Sequence, residues 1–166
     1  MDVISHGLYG GVAVGRKSKK SYIVAFLLGM APDLLAFGPY FLLVLFGILP
    51  RQNFSVEPPA HASMPNFVHL SYNITHSLVI FVLLFFVLWL ITRRPIWELL
   101  SWGLHIIVDI PTHSYSFFPT PFLWPVSSFE INGHAWGTLE VFIPNVIFIV
   151  FLYAWWYFSG RRLKKR

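Results

Sequence analysis

The chain has 166 residues, of which 56% are hydrophobic and only 11% charged, and its mean hydropathy is +0.64. Soluble domains carry about 25% charged residues, so this composition is typical of a protein whose main solvent is a lipid bilayer. The chain contains no cysteine, which excludes disulfides, thiolate metal ligands and a cysteine nucleophile.

The formal net charge of +5 comes from short basic stretches and does not cover a face. Eleven of the twelve basic residues fall in three clusters, each next to a long apolar run, and Arg51 is the exception. Clusters of this kind mark the cytoplasmic ends of membrane helices, so the charge indicates topology and argues against a nucleic-acid partner. The clusters are Arg16, Lys17, Lys19 and Lys20; Arg93 and Arg94; and Arg161, Arg162, Lys164, Lys165 and Arg166.

The first predicted element is a short helix over residues 2–15, which are mostly apolar or small. At 1.5 Å per residue it extends about 21 Å and cannot cross a hydrocarbon core of about 30 Å, so we expect a half-helix packed within a bundle. No basic stretch precedes it and no small-residue cleavage site follows it, so we do not expect a signal peptide.

Four predicted spans follow, which make the chain an all-α, polytopic membrane bundle with a single domain over residues 1–166. A span needs about 20 mainly apolar residues, and only the third apolar run is short. We expect the first span to be broken at Pro32, because proline interrupts the backbone hydrogen bonding of a helix. The predicted spans cover about 22–49, 72–92, 95–110 and 139–159, with outer loops over 50–71 and 111–138.

Threading the membrane with four spans places all three basic clusters on one side, which the positive-inside rule identifies as the cytoplasm. Both long loops then face the opposite side. We therefore expect either that both termini lie on the cytoplasmic side or that the N-terminal half-helix lies within the membrane.

Ionisable side chains at membrane depth point to a function, since each aspartate inserted in a span costs about 2.5 to 3.5 kcal/mol. The helical rise places five such side chains about 15 to 26 Å from the nearest basic cluster. They therefore share one layer in the outer half of the membrane, although they come from four segments. The five residues are His6, Asp33, His76, His105 and Asp109.

His105 and Asp109 are four residues apart and project from the same face of the third span, a spacing that helices use to hold metal ions. His113 would follow after another four residues, beyond Pro111, which disturbs the helix. An interhelical hydrogen bond is the simpler interpretation of any one such residue. Several carboxylates and imidazoles at one depth, however, are too costly to collect without a role.

Asp33 follows Pro32 directly, so a helix that begins there would present its N-terminal N–H groups to a carboxylate or another anion. His76 lies between Thr75 and Ser77, whose hydroxyls are suited to orient the imidazole of a metal ligand. Two further candidates at the outer start of the fourth span, which either complete the site or only contact water, are His134 and Glu140.

The motifs SHGLYGG, GMAPDLL, ITHSL, HIIVDIPTH and LWPVS occur in this order and cover nearly the whole chain. Together they resemble the YdjM-like family of membrane-bound, metal-dependent hydrolases. The resemblance implies a helical bundle in the inner (cytoplasmic) membrane of a prokaryote, with a His and Asp pattern similar to that of zinc-dependent phospholipase C. It also implies metal-binding or catalytic roles for His6, Asp33, His76, His105 and Asp109.

The residues and the resemblance lead to three hypotheses. The first is a metal-dependent hydrolase that acts on a phosphoester of a lipid at the extracytoplasmic leaflet, with Asp33 and Asp109 as catalytic residues and Zn²⁺, or alternatively Mn²⁺, as cofactor. The second is an ion- or proton-coupled transporter or ion-binding protein, and the third is a non-catalytic membrane scaffold. The candidate metal ligands are His6, Asp33, His76, His105, Asp109 and His113.

Overall fold

Helices account for all the regular secondary structure in residues 1–52 and 64–163, the part of the chain that the computed structural model describes. This agrees with the predicted all-α class. Residues 53–63 of the predicted loop 50–71 lie outside the described part, as do residues 164–166 of the third basic cluster. The helices are α1 (Val3–Val14), α2 (Lys19–Leu45), α3 (Asn66–Thr75), α4 (Leu78–Thr92), α5 (Leu100–Thr112) and α6 (Leu139–Leu163), with a 3₁₀ turn (Trp97–Leu99) before α5.

α1 corresponds to the predicted half-helix, with 12 residues and a buried surface rich in glycine. Its first turn is capped by Asp2, whose carboxylate accepts a hydrogen bond from the N–H of Ser5 (2.9 Å). α1 approaches α2 closely at Gly29, which has no side chain. A Cβ built on Gly29 would lie 2.6 Å from the carbonyl oxygen of His6. This close packing brings His6 into the centre of the bundle.

α2 runs through Pro32 without a break, so the predicted interruption of the first span is wrong. Proline removes one backbone hydrogen bond from a helix interior, but tertiary packing holds the turn in place, since Gly29, Pro32 and Asp33 are all buried and α1 packs along this helix. The 27 residues of α2 are long and apolar enough to cross a membrane.

The interruption lies instead in the second predicted span, where α3 and α4 meet at an angle of 59°. His76 follows the last residue of α3, and Ser77 begins α4 by accepting a hydrogen bond from the N–H of Ile80 (3.1 Å). A capping serine offers the backbone an alternative to continuing the helix. The imidazole of His76 therefore projects from a helix junction and not from a straight span.

The third predicted span is too short to cross a bilayer by itself, because α5 has only 13 residues, which continue through Pro111 to Thr112. The helical residues 66–71 and 111–112 also shorten both predicted loops. Two helices, α2 and α6, are long and apolar enough to span a membrane, and α3 with α4 makes a third if the bent pair is one span. The described residues are thus consistent with a membrane protein, but a four-span bundle is not confirmed.

The helix ends beside the basic clusters meet at one end of the bundle. The guanidinium of Arg16 lies 4.8 Å from the ring centre of Trp155 in α6. Ser21 in the first turn of α2 donates a hydrogen bond to the carboxylate of Glu98 (2.5 Å), which follows the second cluster in the chain. This arrangement agrees with a single basic side, while the cell compartment and the position of the termini stay predictions.

An aromatic core closes the opposite end and joins the second half of α2 to α3 and to the segment after α5. Phe118 is fully buried in it, and its carbonyl oxygen accepts a hydrogen bond from the hydroxyl of Tyr72 (2.9 Å). Tyr72 also stacks on the imidazole of His76, with 3.8 Å between ring centres, so the core lies against the helix junction. Its buried members are Ala36, Tyr40, Met64, Val68, Tyr72 and Phe118.

Candidate metal centre

A cluster of polar side chains lies between α2, α5 and the junction of α3 with α4. Asp33 belongs to α2, His76 to the junction, and His105 and Asp109 lie one turn apart on the buried face of α5. Each residue offers one ligand atom, and the four atoms lie within 4.8 Å of one another. All four residues are buried. These four side chains, which the helical rise predicts at one depth, therefore lie close to one another.

The cluster is tightest around Nε2 of His105, which lies 3.0 Å from Nε2 of His76 and 3.1 Å from Oδ2 of Asp109. Nε2 of His76 lies 3.5 Å from the same carboxylate oxygen. Oδ1 of Asp33 is 3.4 Å from His76 and 3.9 Å from His105. His76, His105 and Asp109 thus form a compact triplet, and Asp33 lies at its side.

Hydrogen bonds at the outer ring nitrogens determine which nitrogen of each histidine faces the centre. Nδ1–H of His105 donates to the carbonyl oxygen of Gly29 (2.7 Å). Nδ1 of His76 lies 3.2 Å from the carbonyl oxygen of Tyr72 and 2.9 Å from the hydroxyl of Thr75. Because a carbonyl oxygen only accepts, these contacts place a proton on Nδ1 of each ring and leave Nε2 as the nitrogen that can bind a metal ion. Metal-binding histidines are held in this manner.

The four residues fit a divalent metal ion in donor type and in spacing. Imidazole Nε2 atoms and carboxylate oxygens face one another across the centre, and Oδ2 of Asp109 has no hydrogen-bond partner among the described residues. Ligand atoms about 2.0 to 2.2 Å from a tetrahedral Zn²⁺ lie about 3.4 Å from each other. The five separations given above range from 3.0 to 3.9 Å, so one ion could bind all or most of these atoms.

The second oxygen of Asp109 faces a different set of groups. Oδ1 lies 2.9 Å from Nε2 of His6, 3.4 Å from Nε2 of His113 and 2.5 Å from the nitrogen of Met1. The ring of His6 also stacks on that of His105, with 3.6 Å between ring centres. His6 and His113, both predicted ligands, therefore lie outside the group of four and beside the carboxylate of Asp109.

Asp33 has one oxygen that is not engaged by the protein. Oδ1 faces His76, whereas Oδ2 is buried and has no hydrogen-bond partner in the part of the chain that is described. A buried carboxylate oxygen without a donor is costly. An oxygen in this position is available to accept a proton from a molecule bound at the centre.

The two hydroxyls predicted to orient His76 have different roles. Thr75 contacts the imidazole, but Ser77 donates to the carbonyl oxygen of Trp124 and caps α4. The carbonyl oxygens that orient the imidazoles are absent from the sequence prediction, because every residue carries one and no residue type marks them. Two further candidates are exposed and lie outside the group of four: His134 and Glu140.

Gly29→Ala is expected to destabilise the protein by about 1 to 3 kcal/mol, the usual cost of overpacking, because the new methyl group would press against the carbonyl of His6. Gly38→Ala in the same helix is the matched control, since its Cβ would meet no atom within 4 Å. Replacing this helical glycine should stabilise the protein by up to about 1 kcal/mol. Unfolding in mixed detergent micelles, followed by circular dichroism, measures both changes, and equal stability of the two variants would contradict the close contact of α1 with α2.

Comparison of the chain with models of protein families, with curated proteins and with solved structures gave no match. The resemblance to the YdjM-like family therefore stays a prediction that rests on the five motifs. A functional assignment has to rest on the geometry of the cluster.

Proposed function

We propose that this protein is a membrane-embedded, metal-dependent hydrolase that cleaves a phosphoester of a lipid at the extracytoplasmic leaflet. The proposal rests on one observation, the buried cluster of Asp33, His76, His105 and Asp109, in which Nε2 atoms of two imidazoles face two carboxylates. Ionisable side chains buried between membrane helices are costly and usually mark a functional site.

Three of the four side chains would hold the metal, and the fourth would act as a base. The compact triplet of His76, His105 and Asp109 corresponds to the three protein ligands and open position of catalytic zinc sites. A bound Zn²⁺, or alternatively Mn²⁺, would make water acidic enough to lose a proton near neutral pH and would polarise a phosphoryl oxygen. Asp33 would accept the proton of the attacking water on Oδ2, the oxygen that no donor occupies.

The depth of the cluster favours a lipid substrate. α4 rises about 21 Å between Thr92 and Leu78, and the cluster lies beside the start of this helix, far from the basic end of the bundle. In a hydrocarbon layer of about 30 Å this position falls in the outer half. The surrounding helix surfaces are apolar, with exposed side chains such as Leu34 and Leu45. A water-soluble substrate would gain nothing from a site at this depth.

Hydrolysis by metal-loaded protein in nanodiscs tests the proposal. The substrates are a panel of phospholipids and polyprenyl phosphates, assayed for release of headgroup or phosphate with and without a chelator. We expect release from at least one lipid and loss of that release in chelator. Hydrolysis that persists in chelator would contradict the metal mechanism, and a panel without any hydrolysis would contradict the reaction.

Ion or proton transport is the second candidate, because connected histidines and carboxylates buried between helices also form ion pathways. Transport predicts movement of ions without a lipid product. A scaffold role, in which the cluster only joins helices, predicts neither bound metal nor product. Metal analysis of the purified protein separates the scaffold from the hydrolase and from a transporter of metal ions, a proton-flux assay separates it from a proton transporter, and product release separates hydrolase from transporter.

A further inference from the structure

A cleft lies beside the metal centre, between residues 1–3, the second half of α2 and the segment that follows α5. Its volume is about 300 Å³, at the lower end of the range for small-molecule sites. The cleft reaches the centre, because Asp33 belongs to its lining, together with His113 beside the centre. Its apolar lining includes Val3, Leu34, Phe37, Phe41, Phe117 and Trp136.

The polar groups of the cleft are concentrated where it meets the metal centre. Asp2, the other acid in the described lining, is engaged at the start of α1, where it accepts hydrogen bonds from the N–H and the hydroxyl of Ser5 (2.9 and 2.5 Å). Asp33 with its free Oδ2 therefore remains as the carboxylate that faces a bound molecule. The cleft thus combines one reactive end with a long apolar wall.

The wall of the cleft along α2 is continuous with a surface suited to contact lipid. Leu34 and Phe41 are 49% and 50% exposed, and they lie on a helix long and apolar enough to cross a membrane. Between them, Gly38 leaves space in the cleft, since an added Cβ would meet no atom within 4 Å. A hydrocarbon chain could therefore enter from the bilayer without crossing a polar barrier.

We propose that this cleft binds the hydrocarbon chain of a single-chain lipid phosphate and so places its phosphate ester at the metal centre. The inference rests on the proposed function and specifies its substrate class. The small volume suits one chain better than the two chains of a diacyl lipid. The described lining contains no Lys or Arg, and the amino group of Met1 is paired with Asp109 (2.5 Å). The hydrocarbon chain therefore provides the selectivity, and the metal centre receives the phosphate.

Binding of radiolabelled dodecyl phosphate to metal-loaded protein in phosphatidylcholine nanodiscs tests this inference without requiring turnover. We expect the wild type to bind dodecyl phosphate at least about tenfold more tightly than inorganic phosphate. Gly38→Trp, whose indole would fill the cleft, should weaken binding of dodecyl phosphate about tenfold or more, the effect of displacing roughly two methylene groups. Binding of inorganic phosphate should not change.

Leu35→Trp is the matched control, because Leu35 belongs to the same helix, is 51% exposed and is not part of the described lining. Gly38→Leu, whose side chain fills less of the cleft, replaces Gly38→Trp in the binding assay if the tryptophan variant fails to fold. Unchanged binding of dodecyl phosphate in both Gly38 variants would overturn the inference, as would wild-type binding no tighter than that of inorganic phosphate. Binding that depends on Gly38 without hydrolysis of any lipid would contradict the proposed reaction alone and leave the binding site supported.

Discussion

Asp33→Asn is expected to slow hydrolysis of the lipid phosphoester by roughly 10² to 10⁴-fold, the usual contribution of a positioned acid–base group. The amide has nearly the same shape, so its oxygen can still face His76, but it is a far weaker base than a carboxylate. Helix content should not change. The turnover number at saturating substrate in nanodiscs, measured together with metal content, gives the size of the effect.

Glu98→Gln is the matched control, since it makes the same chemical change at the basic end of the bundle, where Glu98 accepts a hydrogen bond from Ser21. This variant should keep full activity. If Asp33→Asn loses turnover but keeps its metal, Asp33 is the base. If this variant loses both turnover and metal, Asp33 is a metal ligand. Wild-type turnover in Asp33→Asn would exclude both roles.

His105→Ala combined with Asp109→Ala is expected to remove the metal, of which the purified wild type should carry about one ion per chain. The two residues provide two members of the compact triplet, with their ligand atoms 3.1 Å apart. Removing one residue that is hydrogen-bonded to a metal ligand already weakens metal binding by about 10- to 100-fold. Removing two ligands should therefore have a larger effect. Elemental analysis after dialysis against limiting Zn²⁺ measures the metal content.

A histidine and a carboxylate can also be removed elsewhere as a control, by combining His134→Ala with Glu140→Ala, since both residues are exposed and lie outside the cluster. This variant should keep its metal. His105 also donates to a backbone carbonyl, so circular dichroism must accompany the analysis, and Asp109→Asn offers a nearly isosteric single change. Unchanged metal content in the site double variant, with the fold intact, would show that the pair is only structural.

Composition and helical periodicity predicted the class of the protein and the residues of its cluster. A chain this apolar must satisfy its backbone hydrogen bonds internally, which favours helices, and all the regular secondary structure of the described residues is helical. The spacing of four residues predicted that His105 and Asp109 share a face, and both face the cluster. The helical rise predicted the common depth of Asp33 and His76, because 1.5 Å per residue is nearly constant in any helix.

The positions of helix breaks could not be predicted from residue type alone. Proline at position 32 costs one backbone hydrogen bond, which the packing of α1 against α2 offsets, so α2 stays continuous. Ser77 lies in a segment, residues 66–94, that contains no proline or glycine, and yet it caps a new helix where the chain turns by 59°. In both cases the outcome depends on contacts with distant segments, which compete with local preference and are not encoded in the neighbouring residues.

Apolar composition and the spacing of histidines and aspartates thus determined by themselves that this chain is helical, suited to a membrane and equipped with metal-ligand side chains at one depth. Only the tertiary structure decided that His76, His105 and Asp109 form a triplet, while His6 and His113 lie on the other side of the Asp109 carboxylate. The same holds for the cleft that leads to Asp33. The physical reason is that ligand geometry depends on separations of a few tenths of an ångström between different helices, and these are set by how closely their side chains pack.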